Sequence, residues 1–280
     1  MRVDNRVASI NALFRATLAG GYDGDQSWAA VSRLRRSGNR FIFEKARAWC
    51  SSRNPWKRAR GADILCQLRA RRETTPKPRT RYVPTQQLYA QESFEVFAQL
   101  ITQEQNDLVL TAILHGFRHL DLKAAVPLVL PFVSHANPDV RMGATCALGR
   151  FSDNPVAVDA LIRLSVDVDA DVRNWATFAI GTQSDIDTPA LRDALVQRLE
   201  DPSDKVRQEA IGGLAKRRDT RAVYPLFRLM RKCSYYIHLD HDYETLVEKD
   251  EHDGSKWGTE DFIEALYSKF PELLPPRFKS

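Results

Sequence analysis

A Val-Arg pair set four residues after a capping side chain recurs along this chain, in Asn137-Pro138-Asp139-Val140-Arg141, Asp169-Ala170-Asp171-Val172-Arg173 and Ser203-Asp204-Lys205-Val206-Arg207. The arginines stand 32 and 34 residues apart, and a step of 31 residues back from Arg141 reaches Leu110 behind Val109. A period of that length belongs to a two-helix repeat. One residue before each anchor, and three and seven after it, stand Val109, Ile113 and Phe117; Val140, Ala144 and Leu148; Val172, Ala176 and Ile180; Val206, Ala210 and Leu214. This i, i+4, i+8 spacing is one face of a helix. Four residues before the anchors, Asn106, Asn137, Asp169 and Ser203 each offer a side-chain oxygen to a free amide at a helix N-terminus.

The same template fits Asn54 as cap, Pro55 in the first turn, Arg58 as anchor, and Gly61 and Leu65 in the stripe. A second apolar helix is expected after each of the later anchor helices, at Ala125 to Leu128, Ala157 to Ile162, Ala190 to Leu199 and Ala222 to Met230. Upstream, Ser27 to Arg36, Arg40 to Cys50 and Gln86 to Thr102 also read as helices, and Thr259 to Phe270 as a capping one. No strand-like alternation is sustained, so an all-α array follows in which each pair buries its faces against its neighbours. The prolines and charges of Arg71 to Pro84 place an inserted loop at 70–85. The expected organisation is a helical cap over 1–53, repeats over 54–232, and an acidic segment with a capping helix over 233–280.

With 280 residues, 43% hydrophobic and 28% charged, the chain has the composition of an ordinary folded protein. It has no run of about 18 apolar residues, so no membrane partner is expected. With no visible export signal, the expected location is the cytoplasm. Cys50, Cys66, Cys146 and Cys233 lie far apart and read as reduced core thiols. From Arg33 to Arg81 there are 16 Lys/Arg against 3 Asp/Glu, and from Asp240 to Glu264 there are 10 Asp/Glu against 2 Lys. Such opposite ends steer partners rather than set a fold.

The D-x-x-V-R-x-x-A-x-x-A-L pattern of Asn137 to Gly149 and Asp169 to Gly181 resembles the HEAT repeats of the phycobilisome-lyase-like class, over about residues 54 to 230. Asp171 to Ile180, Asp187 to Leu199 and Lys205 to Leu214 are similar to the bacterial HEAT-repeat immunity proteins encoded beside Rhs-type polymorphic toxins. The resemblance implies a right-handed α-solenoid of about five HEAT-like helical hairpins with helical N-terminal and C-terminal caps. It implies as partner a cognate toxin domain, which the chain binds and silences without catalysis or cofactor. In HEAT units the Val-Arg helix lines the concave side, and its arginine pairs with an acidic residue of the adjacent turn, forming a ladder.

Function is therefore sought where the copies differ. Asn174, Trp175 and Phe178 lie off the buried stripe; the positions equivalent to Trp175 and Phe178 hold Gly143 and Cys146 in one copy, Glu209 and Gly212 in the next. Asn174, Trp175, Phe178 and Glu209, together with the acidic residues Asp240, Asp242, Glu244, Asp250 and Glu251, are the candidate partner-binding set. His115 and His119 share a helix face but lack the glutamate of a metalloprotease motif, and His238, Asp240, His241 and Asp242 lack a well-spaced ligand set, so no metal is expected. No phosphate loop, nucleophile elbow or catalytic triad is legible. Two alternatives stand beside a protein partner. One is a nucleic-acid-binding HEAT protein akin to the glycosylases for alkylated bases, suggested by Trp49, Trp56 and Tyr82 among the cations; the other is a bilin lyase-like protein or general scaffold.

Overall fold

A computed structural model describes residues 2–70, 87–120, 122–232, 246–247 and 259–275. The chain divides into two compact units, Met1–Arg150 and Phe151–Ser280. The first contains α1 (Arg2–Ala16), α2 (Asp25–Arg36), α3 (Arg40–Cys50), α4 (Pro55–Leu65), α5 (Ala90–Ile101), α6 (Asp107–Leu120), α7 (Val126–Val129) and α8 (Pro138–Gly149). The second contains α9 (Pro155–Leu164), α10 (Ala170–Phe178), α11 (Pro189–Arg198), α12 (Asp204–Lys216), α13 (Val223–Lys232) and α14 (Thr259–Lys269). No β-strand occurs among the described residues, only two isolated bridges, Gly38 to Ala70 and Arg69 to Gln87. The fold class is all-α, built of HEAT-like helix pairs, as the repeat pattern implies.

Within the first unit α4 packs on α6 and α6 on α8, and within the second α10 packs on α12. The stripe explains these contacts. All twelve apolar residues assigned to it in the four later copies are fully buried. At roughly 25 cal/mol per Å² of apolar surface, this burial supplies the main drive for stacking.

The caps close the helix starts as their residue types dictate. Asn54 accepts from the amides of Trp56 and Lys57, Asn106 from Val109, Asn137 from Asp139, and Asp169 from Asp171 and Val172. Ser203 occupies the cap position, but its side chain accepts no amide. One step earlier a second turn element repeats. The side chains of Ser52, Glu104, His135, Asp167 and Asp201 each accept from the amide of the capping residue two positions on.

Three helices depart from expectation. The helix expected from Gln86 begins only at Ala90, behind Tyr89, whose backbone is left-handed (φ 57). The helix expected at Ala125 to Leu128 is broken into a 3-10 turn, the short α7 and another 3-10 turn at Leu130–Phe132. Pro127 and Pro131 cause this, since each removes an amide donor and crowds the preceding turn. Helix α10 widens into a π-helical turn over Ala179–Gln183. The expected insert falls almost wholly on 71–86, outside the described residues, as does Cys233. Cys50, Cys66 and Cys146 are buried free thiols.

At the π turn the two helices nearly touch. A Cβ on Gly213 of α12 would lie 2.5 Å from the Cα of Gly181. Ala is worth up to about 1 kcal/mol over Gly inside a helix, so Gly213→Ala should stabilise if space allowed it. We expect instead a net loss of about 1–3 kcal/mol from the backbone clash. Urea unfolding of Gly213→Ala against wild type checks this, and a gain in stability would contradict the close approach.

Candidate functional site

The anchor arginines prove to be structural, in a repeated geometry. Arg58 donates to the carbonyls of Ser52 and Arg53, Arg141 to those of His135 and Ala136, Arg173 to those of Asp167 and Val168, and Arg207 to those of Asp201 and Pro202. Each guanidinium thus ties down the turn six and five residues before it. The expected acidic ladder exists where geometry allows a fork. Arg58 Nε and Nη2 meet Glu104 at 2.6 and 2.9 Å, and Arg173 Nε and Nη2 meet Asp201 at 2.9 and 3.1 Å. Burial works against the charge on both carboxyls, but the parallel guanidinium bonds and nearby amides outweigh it and hold both below the usual carboxylate range. Arg207 pairs with Asp204 of its own first turn.

Off the buried stripe of α10 stand the residues at which the repeat copies differ. Trp175 is 39% exposed, and its ring meets that of half-buried Phe178 edge to face, with centroids 5.8 Å apart. Beside them Asn174 Oδ1 is buried and accepts no hydrogen bond. Glu209 sits on α12, the helix packed against α10, at the repeat position equivalent to Trp175. The structure therefore brings Asn174, Trp175 and Phe178 onto one helix and Glu209 onto its neighbour. Asp240, Asp242, Glu244, Asp250 and Glu251 lie outside the described residues, as do His238 and His241.

Sequence reasoning missed the two residues that fix this site. Arg217, 5% exposed at its side chain, donates to the carbonyls of Ile180, Gly181, Ser184, Ile186 and Gly213 at 2.7–3.0 Å. Lys216 reaches the carbonyls of Thr182 and Ser184 and the carboxylate of Asp185. A helix end leaves its last carbonyls without amide partners, and the π turn just after Phe178 is such an end. The only signal was a basic pair in the last turn of a helix, a common pattern.

A neighbouring turn is held by charge. Asp219 is 7% exposed and accepts from Arg221 Nε and Nη2 (2.9 and 2.7 Å), from the Arg221 amide and from Arg192 Nη1 (3.1 Å). The Arg221 guanidinium, against the cost of burial, holds its carboxyl down to about 2. A depressed folded value stabilises above the ordinary carboxylate range and fades as pH falls toward 2, a contribution of roughly 2 kcal/mol. Asp219→Asn should accordingly be less stable than wild type at pH 7 and equal to it near pH 2, as read by urea midpoints.

Many cations of the basic region are engaged in the fold. Arg40 bridges Glu44 and Glu92, Arg47 meets Glu44, Arg58 meets Glu104 and Arg60 meets Asp63. Arg33, Arg36 and Arg53 are exposed. Between α3 and α5 runs a groove of about 860 Å³ whose walls include Glu44, Glu92, Glu95 and Glu104. Among the described residues no three His, Cys, Asp or Glu side chains gather as a metal would need, and no helix is long and apolar enough to cross a membrane.

A family profile for HEAT repeats matches residues 94–181 and 163–237. Protein YibA of Escherichia coli K12 is 37% identical over 98 residues, 35% of this chain, and its counterpart in the O157:H7 strain matches equally. That alignment spans about a third (34%) of the length of those relatives. The X-ray structure of the Escherichia coli YibA protein superposes with a TM-score of 0.62 at 21% identity, covering 91% of this chain and 90% of that one, and so supports the fold alone. The CpcE and CpcF complex of phycocyanin lyase from Nostoc sp. PCC7120 gives 0.41 at 17% identity over 86% of this chain and 83% of that one, too loose to bear on bilin chemistry.

Proposed function

Because the chain belongs to the HEAT-repeat family, we propose that it is a non-catalytic binding protein that neutralises a cognate Rhs-type toxin domain by covering it. The observation that carries this reading is the exposed Trp175 packed edge to face on half-buried Phe178, at a helix end braced by Arg217. A rigid aromatic anchor on a scaffold that pays little ordering entropy is what a tight protein interface requires. The likeness of Asp171 to Leu214 to immunity proteins of the HEAT class supports the toxin as partner, and stacked repeats offer the roughly 800 Å² per side that a standard interface buries. The reading places the protein in the cytoplasm, where a delivered toxin would act. With Arg40, Arg47, Arg58 and Arg60 committed to carboxylates, the nucleic-acid alternative retains fewer cations than the sequence count implies.

The test is co-expression with the toxin domain encoded by the adjacent gene. Stable co-purification and rescued growth are expected, and an unbound, unprotected outcome would remove the proposal.

A further inference from the structure

At Arg58 and Arg173 the anchor guanidinium is used in full. Nη1 goes to the two turn carbonyls, while Nε and Nη2 together grip a carboxylate from the turn ahead of the next anchor helix, Glu104 in one case and Asp201 in the other. Arg207 begins the same way, with Nη1 on the carbonyls of Asp201 and Pro202. Its fork is left open: among the described residues Nε meets no acceptor, and Nη2 meets only Asp204 of its own first turn. The Asp204 side chain is 64% exposed, and an ion pair surrounded by water adds little and breaks readily. The open edge gives onto a cavity of about 310 Å³ between the turn ahead of α12 and helix α13. Its wall combines Arg207 and Arg228 with Leu199, Ile211, Leu229 and the exposed Tyr224. The Arg228 guanidinium carbon lies 5.9 Å from the Tyr224 ring centroid, and no carboxylate among the described residues engages it. Of the carboxylates at the rim, Asp201 is committed to Arg173 and Arg198, and Glu200 is exposed. Nearby acids do not keep a fork from filling: Arg173 takes Asp201 although the turn it ties down carries Asp167 and Asp169.

We propose that Arg207, with Arg228 and the apolar wall beside it, is a binding site for an aspartate or glutamate side chain of a partner protein, which fills this fork as Glu104 fills that of Arg58. The incoming oxygens accept from Nε and Nη2 in a planar bidentate pair, and apolar neighbours of the same partner segment cover Ile211, Leu229 and Tyr224. A singly charged carboxylate suits the site better than a phosphate, whose larger charge would face Glu200 and Asp204. A second copy stacked head to tail does not supply the group. The position six residues before the anchor, which provides Glu104 and Asp201, is Ser52 in the first repeat. The site lies on the far side of α12 from Glu209, about 200° round the helix from Arg207, so it is separate from the Trp175 surface. It rests on the binding-protein reading above only in taking the occupant to be a protein.

The probe is a blocked pentapeptide with glutamate between two leucines, set beside the same peptide with glutamine or phosphoserine at that place. Each is titrated into the full chain, isotope-labelled at its arginine nitrogens, while the Nε–H resonances are followed by NMR. The glutamate peptide should move the Arg207 resonance saturably and leave those of Arg58 and Arg173 in place. The glutamine peptide should bind about tenfold more weakly or worse, since it offers no charge to the fork. Arg207→Lys, which keeps the charge and loses the fork, should weaken binding to a similar degree. Arg207 also ties down its own turn, so if that variant unfolds, Tyr224→Ala and Arg228→Gln, both at exposed positions, should each weaken binding severalfold, while Trp175→Ala leaves it unchanged. A still Arg207 resonance, equal binding of the glutamine peptide, or tighter binding of the phosphoserine peptide would each overturn the proposal. No toxin enters the titration, so its failure leaves the toxin reading untouched, while failed co-purification with peptide binding intact does the reverse.

Discussion

Replacing Arg60 by methionine is expected to cost the protein about 3–5 kcal/mol, because it strands a carboxylate in the interior. Arg60 is fully buried. Its Nε donates to the Thr17 carbonyl (2.9 Å), its Nη1 to Asp63 (3.0 Å), and its Nη2 to the Ser27 hydroxyl (2.9 Å) and the Tyr22 carbonyl. Its guanidinium carbon lies 3.9 Å from the Tyr22 ring centroid and 4.7 Å from that of Trp28. The Tyr22 hydroxyl donates to the same Asp63 oxygen at 2.7 Å. One side chain thus joins α1, α2 and α4, and methionine fills its volume without replacing a single donor. Burial already pushes the Asp63 carboxyl up, and losing Arg60 leaves only the Tyr22 hydroxyl and the more distant Arg35 to oppose it. The double variant Arg60→Met with Asp63→Asn, which removes the stranded charge and keeps an acceptor for Tyr22, should recover a substantial part of the loss. Urea unfolding followed by circular dichroism measures both; a loss below about 1 kcal/mol for Arg60→Met would mean the network is incidental.

For function the largest effect is expected at Trp175. Trp175→Ala should raise the dissociation constant for the toxin domain about 30-fold or more, the 2 kcal/mol that marks an interface anchor. The melting temperature should stay within a degree or two, because the ring is 39% exposed and the stripe beneath it, Val172 and Ala176, is untouched. Calorimetric titration with matched unfolding curves separates the two effects. An unchanged dissociation constant would return the Trp175 and Phe178 pair to a packing role. Growth protection should fall in parallel, more steeply at low expression.

Much of the fold was legible because a repeat states its local rules several times. The fifth unit, inferred from Asn54 and Arg58 alone, shows the same cap and the same two carbonyl acceptors as the later copies. Leu110 departs as its chemistry requires: it has no guanidinium, and Asn137 Nδ2 reaches Asp107 at 2.8 Å, joining two neighbouring helix starts. Less of the candidate site was legible. Asn174, Trp175 and Phe178 stand out as differences between copies, yet nothing in the sequence told that Arg217 and Lys216 brace the turn after them. Arginine near a helix end is ordinary, and whether it faces water or five carbonyls depends on how closely Gly181 and Gly213 let the helices approach.

The sequence by itself determined the helix period, the caps, the buried stripe and the register of the anchors, because each follows from contacts spanning one or two helical turns. Tertiary structure alone decided which carboxylate each arginine meets, that Arg60 becomes the charged centre of the first unit, and where a helix must widen. The farthest-reaching of those outcomes join distant residues, as Arg58 joins Glu104 and Arg60 joins Thr17, whereas Arg207 meets Asp204 within one helical turn. At the longer separations many like residues compete for each partner, and only the packed positions of the helices choose among them.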